Sequence, residues 1–194
     1  MSRYKIAILG GGPGGYVAAI RAAQLGAKTV LIEAGELGGV CLNEGCIPTK
    51  TLLKNAKVYQ ELLNSEKFGI TVDGQIKIDW KSMLQRKDGV VNQLTSGVGG
   101  LLKQNGVEVV QGFGEPLDPH TIVVNGEKIH TEHLIIATGS SPAVLPIPGL
   151  QEALDTGEAV TSTGALNLQE IPARLVIVGG GVVGMEFAAL FNAL

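Results

Sequence analysis

At 194 residues the chain has room for one large domain, or for one domain and the start of another. Hydrophobic residues make up 45% and charged residues 17%, enough to bury a sizeable core and a composition that argues against disorder. A formal charge of −3 gives no basic footprint for nucleic acid or an anionic membrane, and no apolar run approaches the roughly 20 residues that span a bilayer.

The opening stretch, MSRYKIAILGGG, is too short in its apolar part and too rich in glycine for a secretory signal, so a cytoplasmic setting is expected. Tyr4 to Leu9 reads as a buried strand. A glycine-rich turn from Gly10 to Gly15 follows it, then an alanine-rich helix ending at Gly26. Lys28 to Glu33 is a second short strand, completing a strand–helix–strand unit. From the end of the stretch LGGVCLNEGCIPTK, residues 49–63 carry apolar side chains at helical spacing.

Asp79 to Leu102 reads as another helix, with Asp79 as its N-cap. Gly89, Gly97, Gly99 and Gly100 predict a bend or break there, because each costs up to roughly 1 kcal/mol in a helix interior. From Val107 the period changes to two. VEVVQGFG, TIVV and KIHTEHLIIA predict short strands, and Asn125-Gly126 is a type I′ hairpin signal between two of them. A proline-rich loop leads to Arg174–Val178, a further strand. A second glycine run, Gly179 to Gly184, then opens a last helix whose Met185, Phe187, Leu190, Phe191 and Leu194 are expected to be exposed if the chain stands by itself.

Glycine accounts for 28 of the 194 residues, densest in those two runs, which suggests backbone built to approach ligands closely. Gly10-x-Gly12-x-x-Gly15 follows a strand and opens a helix. Glu33 closes the next strand at about the 20-residue remove of a ribose-binding acid. This is the dinucleotide fingerprint: Gly10 for the tight turn, Gly12 for approach to the pyrophosphate, Gly15 for helix packing. Gly179-x-Gly181-x-x-Gly184 repeats it, and an enzyme passing electrons between two dinucleotides needs two such sites.

Both cysteines of the chain, Cys41 and Cys46, fall in one stretch. Zinc normally needs four ligands, and no further cysteine is present. His130 and His133 lie in strand-like sequence, where their odd spacing puts them on opposite faces. No metal is expected. In a regular helix residues five apart are separated by about 8–9 Å between Cα atoms, whereas a disulfide wants roughly 4.4–6.8 Å. A bridge here would need a distorted segment, which Gly45 and Pro48 permit. So short a loop contributes little as a staple, which favours an exchanging pair and leaves both readings open.

Together these stretches resemble the flavin-dependent pyridine nucleotide-disulfide oxidoreductases. GGPGGYVAAIRAAQLG is similar to the family's first glycine turn and helix, LGGVCLNEGCIPTK to its active-site stretch, LIIATGSSP to its second flavin-contacting segment and VIVGGGVVGMEFA to its NAD-binding turn. The resemblance implies an α/β fold. Residues 1–147 would form a Rossmann-like FAD-binding domain, a parallel sheet with helices plus an antiparallel β-meander. Residues 148–194 would be a linker and the start of a Rossmann-like NAD-binding domain. Gly10, Gly12 and Gly15 would cradle the FAD pyrophosphate, Glu33 would bind its ribose and Gly114 would offer backbone to its adenine. Ala137, Thr138 and Gly139 would touch the flavin side, and Gly179, Gly181 and Gly184 would bind NAD.

Within the family the resemblance is closest to the members that oxidise dihydrolipoamide with NAD⁺. It implies that Cys41 exchanges with the substrate dithiol, that Cys46 lies against the flavin and that Lys50 stands near it, paired with Glu186. The partners implied are a lipoyl-carrier protein of 2-oxo acid dehydrogenase or glycine cleavage complexes and, in a full-length parent, a second copy. Neither nucleic acid nor membrane is expected as a partner. His120, His130 and His133 are not in the family's general-base context, so the base is expected outside this chain. The alternatives are a sister reductase of the mercuric or glutathione type, or a flavin-binding module without turnover.

Overall fold

A computed structural model describes residues 3–194 as a mixed α/β protein. Met1 and Ser2, the first residues of the stretch weighed as a secretory signal, lie outside the described residues. The chain divides into two compact units. One comprises the residues up to Asn43 with Val91–Ser141, the other Glu44–Val90 with Pro142–Leu194.

The first unit is built on the apolar run that starts the chain. Strand β1 (Arg3–Leu9) lies mid-sheet because both its faces are apolar, and Ala7 and Ile8 are fully buried. Helix α1 (Pro13–Gln24) returns the chain to β2 (Thr29–Glu33), which pairs parallel to β1. A five-residue helix, α2 (Gly39–Asn43), follows. The remaining strands are β3 (Glu108–Gln111), β4 (Gly114–Asp118), β5 (Thr121–Val124) and β6 (Glu127–Ile136). Their order across the sheet is β3-β2-β1-β6-β5-β4, parallel from β3 to β6 and antiparallel from β6 to β4.

Asn125 and Gly126 join β5 to β6 with φ of 52° and 83°, the doubly left-handed turn that the Asn-Gly pair predicts. Strand β4 escaped the sequence reading, since Pro116 and flanking charges disguise it. It is the sheet's edge, where a missing N–H is tolerated. The core of this unit joins Tyr4, Ala7, Leu9, Val30, Ile32, Ile122 and Val124.

In the second unit, helix α3 (Cys46–Leu63) begins ahead of Thr49, the start that apolar spacing suggests, at the second cysteine itself. Helix α4 (Trp80–Gln104) starts here and continues into the first unit. Its N-terminus is capped as expected: Ser82 N–H donates to Asp79 Oδ1 at 3.0 Å. The expected break is absent. Gly89, Gly97 and Gly100 face open space, so they leave no side-chain conflict, and packing of Trp80, Lys87, Val98 and Leu102 outweighs the glycine propensity.

Short helices α5 (Leu150–Thr156) and α6 (Ser162–Ala165) precede α7 (Val182–Asn192). Two expectations for this region need correction. Residues 174–178 are not a strand, because no neighbouring strand pairs with them among the described residues. Helix α7 is not exposed throughout. Phe187 and Leu190 are buried with Leu52, Ala56, Trp80, Ala165 and Leu166, while Phe191 and Leu194 pack at the margin and Met185 alone of the five stays open. No helix among the described residues is long and apolar enough to cross a membrane.

Candidate functional site

Sheet register sets out the first unit's site. Leu9 lies level with Ile32 on β2 and with Ile136 on β6. Gly10, Glu33 and Ala137 therefore leave three neighbouring parallel strands side by side, at the carboxyl ends where α/β sheets bind ligands. The pairing runs one step past the strands: Gly10 N–H donates to Ile32 O at 2.8 Å and Ala137 N–H to Leu9 O at 2.7 Å.

This closeness dictates the residues. Gly10 has φ of 99°, and a Cβ there would overlap the Ala137 carbonyl. A Cβ on Gly15 would overlap the Gly10 carbonyl, so α1 can lie against the turn only with glycine there. Gly12 is the N-cap of α1, with neither a side-chain cap nor an acidic residue in the first turn, which leaves the positive end of that helix open to an anion. The Glu33 carboxylate is held by two backbone donors, Gly11 N–H at 2.5 Å and Gly35 N–H at 2.6 Å. Thr138 and Gly139 continue from Ala137 into solvent, Gly139 with φ of 74°. At Gly114 a Cβ would run into the side chains of Leu9 and Ile32, a packing reason for glycine at the start of β4.

The segment carrying Cys41 is joined to this turn. Gly38 N–H donates to Gly11 O at 2.9 Å, and a Cβ on Gly39 would come within 2.7 Å of Gly12 Cα. Sequence reasoning assigned nothing to Gly38 and Gly39, although two adjacent glycines before a cysteine are a signal of close backbone approach. Cys41 is half-buried in α2, and Cys46 is exposed as the first residue of α3. The two helices are separate segments with Gly45 as the N-cap of the second, so the cysteines do not share one regular helix. Cys41 belongs to the first unit and Cys46 to the second.

Within the second unit, Lys50 lies one turn after Cys46 on α3, and its Nζ meets Glu186 Oε1 of α7 at 2.7 Å. The glycine turn before α7 reproduces the first. Gly179 has φ of 112°, Gly181 is the N-cap, and a Cβ on Gly184 would come within 2.5 Å of the Gly179 carbonyl oxygen. The three histidines all belong to the first unit, on β6 and in the turn before β5. No group of three or more His, Cys, Asp or Glu able to hold a metal ion occurs among the described residues.

The family model for pyridine nucleotide-disulphide oxidoreductase matches residues 4–194. The chain belongs to that family. Among curated oxidoreductases it is 56% identical over 190 residues to the dihydrolipoyl dehydrogenase of Acholeplasma laidlawii, covering 98% of this chain and 56% of that protein. It is 45% identical over 194 residues to the dihydrolipoyl dehydrogenase of Bacillus subtilis strain 168, covering 97% of this chain and 42% of that one. Among solved structures, the HOCl-induced flavoprotein disulfide reductase RclA from Escherichia coli, as its Cu(II) complex, superposes with a TM-score of 0.81 at 34% identity. That match covers 97% of this chain and 39% of the other. The chain thus spans between about two fifths and just over half of the length of these oxidoreductases.

Proposed function

We propose that this chain is the dinucleotide-binding, cysteine-bearing part of a dihydrolipoyl dehydrogenase, a flavoprotein disulfide oxidoreductase taking dihydrolipoamide and NAD⁺ to lipoamide and NADH. The observation that carries this reading is the bond from Gly38 N–H to Gly11 O, which ties the Cys41 turn to the first glycine turn. A thiol that hands electrons to a dinucleotide cofactor has to be held beside that cofactor's site. The 56% identity to the Acholeplasma laidlawii enzyme favours this substrate over that of a sister reductase.

The residues of the first turn fit FAD. The uncapped amide end of α1 suits a pyrophosphate, with Gly10, Gly12 and Gly15 leaving the backbone free of side chains. The Glu33 carboxylate, oriented by Gly11 and Gly35, has acceptor capacity left for ribose hydroxyls. In this reading Gly114 offers backbone on the adenine side, and Ala137, Thr138 and Gly139 border the flavin. Residues 1–147 are the first FAD-binding segment. Residues 148–194 are a linker and the start of an NAD-binding domain, with Gly179, Gly181 and Gly184 as its turn. The chemistry that FAD supplies when bound is two-electron acceptance from a thiolate and hydride donation to a nicotinamide.

The cysteines do the exchange. A substrate thiolate attacks Cys41 Sγ of the oxidised pair, and the Cys41–Cys46 bond breaks with Cys46 leaving as thiolate. The second substrate thiolate then attacks the substrate sulfur of the mixed disulfide, closing cyclic lipoamide and releasing Cys41. Two electrons have passed from substrate to the pair. Lys50, fixed by Glu186, offers an ammonium to the negative charge carried on its side of the site. A lipoyl-carrier protein as the source of substrate, a homodimer whose partner subunit supplies the general base, and a cytoplasmic setting belong to the same reading.

Stepwise anaerobic reduction by dihydrolipoamide, followed by visible absorption with FAD added, tests it. A long-wavelength charge-transfer band at the two-electron stage is expected. Flavin that binds and is never reduced by the dithiol would overturn the reading in favour of a binding module.

A further inference from the structure

Helix α2 is five residues long, too short to hold its shape by its own hydrogen bonds, yet it carries Cys41 at its centre. The chain enters it through Gly38 and Gly39, with φ of 98° and 56°, and the carbonyls of Leu37 and Gly39 both come within reach of one side chain. The side-chain nitrogen of Asn43 lies 3.1 Å from Leu37 O and 2.9 Å from Gly39 O. A carboxamide has two N–H donors, as many as the carbonyls within reach of this one.

We infer that Asn43 is a positioning residue for Cys41, locking the turn that presents its thiol for exchange. The inference rests on the reading of Cys41 and Cys46 as a redox pair. From the last position of α2, Asn43 donates back to the carbonyl of its first residue, Gly39, and to that of Leu37 before it, so the two ends of the helix are tied by one side chain. Leu42, buried against Gly38, anchors the same turn, with its N–H 3.3 Å from Gly38 O. The bonds continue from Leu37–Gly39 through Gly38 N–H to Gly11, and from Gly11 N–H to Glu33. Asn43 therefore braces, from both sides, the residue whose backbone N–H ties the cysteine turn to the dinucleotide turn.

The chemistry required is narrow. Aspartate has the same shape but, ionised, presents acceptors to two carbonyl oxygens, turning two attractions into repulsions. Serine keeps one donor and shortens the reach. Either change lets the turn sample other shapes, and the effective concentration of one thiol at the other falls with that freedom.

The test is the equilibrium of the purified protein, with FAD added, against glutathione: enzyme dithiol plus glutathione disulfide giving enzyme disulfide plus two glutathione. Acid quench, alkylation and mass measurement read the Cys41–Cys46 bridge. Asn43→Asp is expected to lower the constant for bridge formation by about tenfold at neutral pH, with Asn43→Ser in between. Melting temperatures are recorded beside it. An unchanged constant in a folded variant, even with a lowered melting temperature, overturns the inference and leaves Asn43 with a structural role only. If the Asp variant does not fold, the Ser variant decides by the same criterion. Wild-type protein that forms no Cys41–Cys46 bridge at any glutathione ratio overturns the redox-pair reading itself, a failure distinct from one confined to the variants.

Discussion

The two glycine turns have nearly the same backbone and different surroundings. Gly12 and Gly181 cap their helices with φ of −72° and −75°. In each, the carbonyl of the first glycine occupies the space that a Cβ on the last would need. Yet Leu9, just before the first turn, is 4% exposed in a strand paired on both sides, while Val178, just before the second, is 67% exposed and in no strand. The turn is therefore a local product of its glycines. The strand that feeds it is a product of partners.

That contrast can be broken by the smallest of substitutions. Gly15→Ala sets a methyl against the Gly10 carbonyl, which is pinned by the Gly10 N–H bond to Ile32 and by pairing on both sides of β1. A loss of more than about 3 kcal/mol is expected. Gly184→Ala meets a less crowded carbonyl at the end of an unpaired segment that can yield, and is expected to cost less than about 1 kcal/mol. Urea unfolding of the two variants measures both. Equal losses would mean that residues 174–178 are held more firmly than their exposure implies.

Leu190→Ala sharpens the second half of the comparison, because helix α7 is anchored at Leu190 although the segment before it is open. Leu190 is 0% exposed among Leu52, Trp80 and Phe187. Its truncation is expected to destabilise by about 2–5 kcal/mol, read by the same unfolding measurement. A loss below about 1 kcal/mol would return α7 to the exposed helix of the original expectation.

The smallest effect belongs to pH. The Ser82 backbone N–H and then its hydroxyl hold the Asp79 carboxyl below its ordinary value of 3.8. A depressed folded value means stability that is complete above 3.8 and is lost as pH falls through the lower folded value. The melting temperature of Asp79→Ala should therefore differ from that of the wild type at pH 7 and converge with it in acid. A constant gap down to the lowest pH would show that the carboxylate's charge contributes nothing to the cap.

Legibility in the sequence followed the same line between local and assembled structure. The first strand, helix and acid were readable because apolar period, glycine spacing and a terminal Glu33 are all local signals. The Asn125-Gly126 turn was readable for the same reason. The helix of α4 was readable but its unbroken course was not, because Gly89, Gly97 and Gly100 predict a break and only the burial of Val98 and Leu102 speaks against one. Arg174–Val178 failed in the opposite direction, with strand sequence and no sheet to join. At the site, the spacing of Cys41 and Cys46 pointed to exchange chemistry. The work of Asn43 did not show, since an asparagine close to a glycine reads simply as a loop.

The crowding around the first turn has an evolutionary consequence. At Gly114 the obstacle to a methyl group is made of side-chain atoms from Leu9 and Ile32, so a smaller neighbour can make room and a lineage can drift there in two steps. At Gly10 and Gly15 the obstacle is main chain, common to every amino acid, and no change of side chain nearby removes it. Those two positions have no route of escape by compensation, only reversion.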